Sequence, residues 1–240
     1  MRFLNHESEF AMKKIAARAG IAWARAAFGL IFVVALGACS APRGVTTAVY
    51  DFGPGVVEPQ PQNRMAPLPL LVMADVQAPL ALEGSAVLYR LNYTDGQLLR
   101  PYAQARWSMP PAQLLRQQLR ATLSAQRPIL NANEGGPSPA GALVLRMELE
   151  EFSQLFDSPQ ASRGLLRMRA TLLRAGPGGE SLVAQRTVVA SSPAPTPDAA
   201  GGVRALTVAA QRASSCARRP GSWTGPTATP ASSAPWRSCR

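Results

Sequence analysis

The sequence predicts an α+β fold, a mainly antiparallel β-sheet covered by amphipathic helices. Three observations carry this. Residues 142–152, 164–174 and 181–190 alternate apolar and polar side chains at period two, the pattern of strands with one face in a core and one in water. Residues 111–123 put Ala112, Leu115, Leu119, Thr122 and Leu123 on one helical face and Gln113, Arg116, Gln117 and Arg120 on the other. Turn chemistry joins the runs, with Thr94-Asp95-Gly96 and Gly176-Pro177-Gly178-Gly179 placed where hairpins need them.

The chain opens with a different kind of segment. Residues 26–35, AAFGLIFVVA, carry no charge and follow Lys13, Lys14, Arg18 and Arg25. A basic start, a short apolar run and small residues after it are the parts of a secretory signal peptide. The run is too short to span a bilayer, which takes about 20 apolar residues. Leu36, Gly37, Ala38 and Cys39 follow directly and resemble a bacterial lipobox, whose cysteine is acylated and becomes the first residue of the mature protein. Ser40 rather than Asp follows, which in such lipoproteins permits export to the outer membrane. The expected organisation is a signal peptide at 1–38, a tether at 39–45, a domain at 46–212 and an atypical tail at 213–240. A second start at Met12 would give a more ordinary signal, MKKIAARAG.

In the mature chain, residues 46–52 read as a first strand, and 53–67 as a Pro- and Gln-containing loop. Residues 69–76 read as a buried strand. Residues 86–93 and 97–107 flank the Asp-Gly turn as a hairpin, and Pro101 demotes part of its second strand to an edge or a bulge. Ser108-Met109-Pro110-Pro111 opens the first helix, since proline is tolerated in a first turn. Residues 131–141 read as a loop before the three-stranded meander. Asp198 is a candidate N-cap for a second helix whose visible face is Val203, Leu206 and Ala210.

The pI near 10.9 and net charge of +11 invite a nucleic-acid reading. The charge is spread over signal, body and tail, and no basic patch forms, so no nucleic-acid partner is expected. His6 is the sole histidine and lies ahead of the signal, so no Ser/His/Asp set exists in the mature chain. Cys216 and Cys239 fall in the tail, and no disulfide framework or metal-binding spacing is read. Glu148 and Glu150 alternate onto the solvent side of a strand rather than into a cleft. No catalytic residue, metal or cofactor is therefore expected. Arg106, Trp107, Met109 and Pro110 form the most distinctive cluster: either a partner surface, or a snorkelling Arg beside a core Trp.

Residues 213–240 contain no Leu, Ile, Val, Met or Phe, and they hold four Arg without an acid. Such a segment buries too little apolar surface to offset its ordering entropy. It reads either as a natural disordered tail or as the product of a frameshift in GC-rich coding sequence.

The lipobox, APLALEGSAVLYR (78–90), YAQARWSMPPAQLLRQQL (102–119), LRMELEEFSQLF (145–156) and LRMRATLL (166–173) together resemble the ABC-type transport auxiliary lipoproteins. That family includes paraquat-inducible protein C and lipoproteins accompanying MCE-type transporters. The most specific pieces are Arg106, Trp107, Pro110 and Pro111, and Glu150, Glu151, Phe152 and Phe156. The resemblance implies two helices packed on one face of the sheet. It also implies a non-enzymatic part of a lipid transport system, lipid-anchored at the periplasmic face of the outer membrane. Its partners would be an MCE-domain protein and an ABC permease and ATPase, and a homo-oligomer is compatible with it. The alternative is a structural or assembly lipoprotein of another envelope complex.

Overall fold

The structure is a computed structural model that describes residues 46–54, 68–132 and 138–218. The signal segment, Cys39 and the tether lie outside the described residues, as does the tail from 219. Among the described residues, eight strands form one sheet: β1 (Ala48–Tyr50), β2 (Leu71–Gln77), β3 (Ala86–Leu91), β4 (Asp95–Trp107), β5 (Ile129–Asn131), β6 (Leu143–Ser158), β7 (Ala161–Gly176) and β8 (Gly179–Pro193). Two helices, α1 (Pro111–Ser124) and α2 (Ala199–Arg218), pack against each other and on one face of it. The class is α+β, as expected.

The meander β6–β7–β8 is the platform, antiparallel throughout. Leu145, Met147, Leu149, Leu166, Met168, Ala170 and Leu172 point into the core beneath the helices. The other face is polar along most of its length, with Glu150 paired to Arg167 at 3.1 Å and to Arg169 at 2.6 Å, and Arg146 to Glu180 at 2.7 Å, and at one end it carries a small apolar cluster of Val72, Ala142, Val144 and Ala175. The strands run longer than the alternation predicts. A β-bulge in β6 places Leu149 opposite Met168 and Glu151 opposite Arg167, leaving Glu150 as the extra residue. Beyond it the inward positions become Phe152, Gln154 and Phe156, so the period-two pattern loses its phase.

The far edge of β6 is shared by two partners. Its first half, Leu143 to Glu148, pairs in parallel with β2, which carries β5. Its second half, Gln154 to Phe156, pairs in parallel with β3, which carries β4 and then β1. These parallel joints make the sheet mixed. Alternation within one strand says nothing about the direction of its neighbour, so the sequence did not show them. Nor did it show β5, whose three residues lie partly in an expected loop. The β3–β4 hairpin forms, but its turn is Asn92-Tyr93-Thr94 rather than Asp95-Gly96, and Gly96 takes no positive φ. Pro101 sits at a register break between β3 and β4, as its missing N–H requires.

α1 starts with Pro111 at its first position and buries Ala112, Leu114, Leu115, Leu119 and Leu123. α2 is capped by Asp198, whose carboxylate accepts from the Gly201 N–H at 2.6 Å and from the Thr196 hydroxyl at 2.8 Å. It lies so close to β7 that a Cβ on Gly164 would meet Leu206 N at 2.6 Å. The helix extends past the break expected at 213, burying Ala213, Ser214 and Ala217. Small side chains suffice there because the helix backbone rests nearly on the sheet, and the Ser214 hydroxyl donates to Ala210 O. Cys216, half-buried on the same helix, is disulfide-bonded, against the expectation of no disulfide.

Candidate docking surface

The structure divides the Arg106–Pro110 stretch instead of presenting it as one surface. Trp107 is 1% exposed and belongs to the core, which favours the core-Trp reading of the cluster over a partner surface at this residue. Its ring lies 5.6 Å from Phe52 and 5.5 Å from Phe152, and the latter two lie 6.0 Å apart. This aromatic trio packs where the two half-sheets part along β6. Arg106 is exposed, opposite Val49 of β1. Met109 and Pro110 are half-buried at the entrance of α1.

Around Phe52 the surface is concave. Asp51 accepts a hydrogen bond from the Gly53 N–H at 2.7 Å, and Gly53 turns the chain with φ 77°. On one side of this turn lies a cleft of about 230 Å³ lined by Met109, Leu114, Gln117 and Ala121. On the other lies an open cleft of about 510 Å³ between β1 and α2, lined by Val49, Tyr50, Val203, Arg204, Thr207 and Val208. The walls of the larger cleft are chiefly apolar, those of the smaller also carry Ser108, Gln117 and Gln118, and Asp51 and Arg204 are the charges. They suit an apolar or mixed partner surface, and they hold no nucleophile paired with a base. Among the described residues, no group of three or more His, Cys, Asp or Glu side chains converges as a metal site.

The polar groups beneath are spoken for. Gln154 is fully buried, accepts from the Tyr102 hydroxyl at 2.9 Å and donates to the Ser162 hydroxyl at 2.8 Å. Burial pushes the Tyr102 phenol well up, with Tyr89 and Asp198 adding to the shift. A Cβ on Gly202 would collide with the Gln154 amide, so this small network seats the first turn of α2. Glu151 is held by Arg90 at 3.2 Å and by the Ser153 hydroxyl at 2.6 Å, while Arg90 also donates to Gly96 O and Gln97 O. Glu150 and Glu151 are thus both held in ion pairs. Sequence reasoning missed Gln154 and Arg90, since a lone Gln or Arg in a strand carries no pattern.

The family model described as "ABC-type transport auxiliary lipoprotein component" matches residues 50–215. No curated protein matches the sequence. Among solved structures, protein XCC0632 from Xanthomonas campestris superposes with a TM-score of 0.56 at 18% identity, covering 71% of this chain and 92% of that one. An uncharacterized protein superposes with a TM-score of 0.54 at 20% identity, covering 72% and 97%. At these identities the two structures speak for the fold alone.

Proposed function

The chain belongs to the ABC-type transport auxiliary lipoprotein family, and from that premise we propose that it serves an MCE-type lipid transport system from the periplasmic face of the outer membrane. It is an auxiliary component rather than the enzyme of such a system. In this reading Cys39 carries the acyl chains, residues 39–45 are the tether, and the folded domain runs from 46 through the end of α2. The domain docks the MCE-domain protein that bridges from the inner-membrane permease and ATPase, or receives lipid from it. The clefts flanking Phe52, with Met109, Pro110 and Arg106 around them and Trp107 as their buried support, are the contact surface.

The family match carries this reading, because it spans nearly the whole described sheet and both helices. Tagged mature protein recovered from membranes should bring with it an MCE-domain protein and its ABC permease and ATPase. Recovery of an unrelated envelope complex instead would move the assignment to an assembly lipoprotein. Separately, Cys39→Ser should abolish lipid labelling and release the protein from membranes, since two or three acyl chains, at about 0.8 kcal/mol per buried CH₂, are what hold it. Unchanged membrane association in that variant would refute the anchor.

A further inference from the structure

We propose that the larger cleft takes an extended segment of a partner protein as an added β-strand, seated between the free edge of β1 and α2. The inference rests on the docking reading above and deepens it by naming how the contact is made. It begins with the ladder. Among the described residues β1 ends the sheet and pairs with β4 alone, in parallel, with Val49 opposite Arg106 and Tyr50 opposite Trp107. The Ser108 N–H donates to Tyr50 O at 2.6 Å, so the backbone groups of Tyr50 turn towards β4. Successive residues of a strand turn these groups to opposite sides. The N–H and C=O of Val49 therefore point away from β4, across the free edge.

The side chains locate the cleft on that same edge. Tyr50 shares a face with Trp107, beneath the helices, and Val49, 53% exposed, shares the opposite face with Arg106. A cleft on one face of the sheet would touch only one of the two. This one, of about 510 Å³, is lined by both, and then by Asp51, Phe52 and Gly53. It runs along the edge of the strand. Its other wall is a single strip of α2, formed by Val203, Arg204, Thr207 and Val208. A strand edge facing a helix across a groove is the geometry in which a peptide extends a sheet and sets alternate side chains against the helix.

The chemistry of the edge selects the occupant. Whatever fills the cleft takes the Val49 N–H and C=O out of water, and a buried backbone group left unpaired costs more than a paired one contributes. An acyl chain offers neither donor nor acceptor. A helix has spent its backbone groups on its own turns. An extended peptide supplies both at strand spacing, with a side chain at every second position for the apolar wall of Tyr50, Val203 and Val208. The segment that fits is therefore extended and alternately apolar.

The test uses the full mature chain and a library of random eight-residue peptides displayed on phage. Val49→Pro deletes the outward N–H but leaves the β1–β4 ladder its bonds, and proline is compatible with such an edge position. The enriched peptides should alternate apolar side chains and bind Val49→Pro about tenfold or more weakly, but Val49→Thr, which keeps the N–H, within about twofold of wild type. Hydrogen exchange at the Val49 amide should slow in the wild-type peptide complex, a readout that stands even where Val49→Pro does not fold. Peptides that bind Val49→Pro as tightly as wild type, or leave Val49 exchange unchanged, would overturn the proposal. So would a wild-type chain that enriches no peptide, and dimers lost in Val49→Pro would then name a second copy as the occupant. The partner reading fails separately. A peptide that protects Val49, with no MCE-domain protein recovered from membranes, counts against that partner alone, whereas equal recovery of it by wild type and Val49→Pro counts against the strand site alone.

Discussion

The two halves of β6, on either side of the bulge at Glu150 and Glu151, are stabilised in different ways. Leu145 to Leu149 alternates apolar and charged side chains, and the half that holds it pairs with β2 and supports the far ends of both helices. Its contribution is burial of aliphatic surface, about 25 cal/mol per Å². Phe152 to Ser158 also buries Ser153 and Gln154, pairs with β3 and seats the start of α2. Its stability depends on aromatic shape and on hydrogen bonds being complete. The first half tolerates any apolar residue of the right size. The second tolerates little, because an unpaired buried polar group costs the whole of its lost hydration.

The largest test of this contrast is Trp107→Ala. Emptying the trio with Phe52 and Phe152 should cost about 3–5 kcal/mol and lower the melting temperature before any partner binding is lost. A thermal or urea melt decides it. A variant with wild-type stability that no longer binds its partner would return Trp107 to the surface. Next comes Gln154→Leu, which keeps the volume roughly constant but strands the Tyr102 and Ser162 hydroxyls. A loss of about 1–3 kcal/mol is expected, whereas Leu145→Met in the first half should cost less than about 1.5 kcal/mol. Equal costs for the two would erase the distinction.

The smallest effect falls on Asp198. The Gly201 N–H, then the Thr196 hydroxyl and Arg204, hold its carboxyl below the usual aspartate range. A carboxylate with a depressed folded pKa contributes stability above its unfolded pKa and loses it as pH falls through the folded value. Asp198→Ala should therefore cost about 1 kcal/mol at neutral pH, as N-cap removal does. The difference from wild type should shrink in the acid range below the ordinary aspartate pKa, which melts at several pH values would show. A constant difference down to the most acid pH would mean that the cap is not the cause.

Legibility followed the same division. Leu145, Met147 and Leu149, and Leu166, Met168, Ala170 and Leu172, were readable as core because nothing interrupts their alternation. α1 and the Asp198 cap were readable from periodicity and end signals. The second half of β6 was not, because a single extra residue at the bulge inverts which side chains face in. The Arg106–Pro110 stretch was readable as a cluster with two alternatives, one of them a core Trp beside a solvent-reaching Arg. Strand periodicity put neighbouring residues on opposite faces, sending Arg106 to water and Trp107 into the core. The helix past Arg212 was missed because alanine adds little to an apolar count yet packs well where backbones lie close.

That one strand edge serves two half-sheets has a consequence for how the protein is made. In this fold β6 comes after β1 to β5 in the chain, yet β2 and β3 pair with it along its length. A chain that emerges N-terminus first therefore delivers five strands and α1 before the strand that joins them exists. β6, β7 and β8 close by two tight hairpins and can form quickly, but the parallel joints to β2 and β3 must wait for long-range closure. During that interval Phe52, Trp107 and the apolar face of α1 stand uncovered. Chains in this state are prone to aggregate, and the exposure lasts until about residue 193, the end of β8, has emerged and the joints have closed.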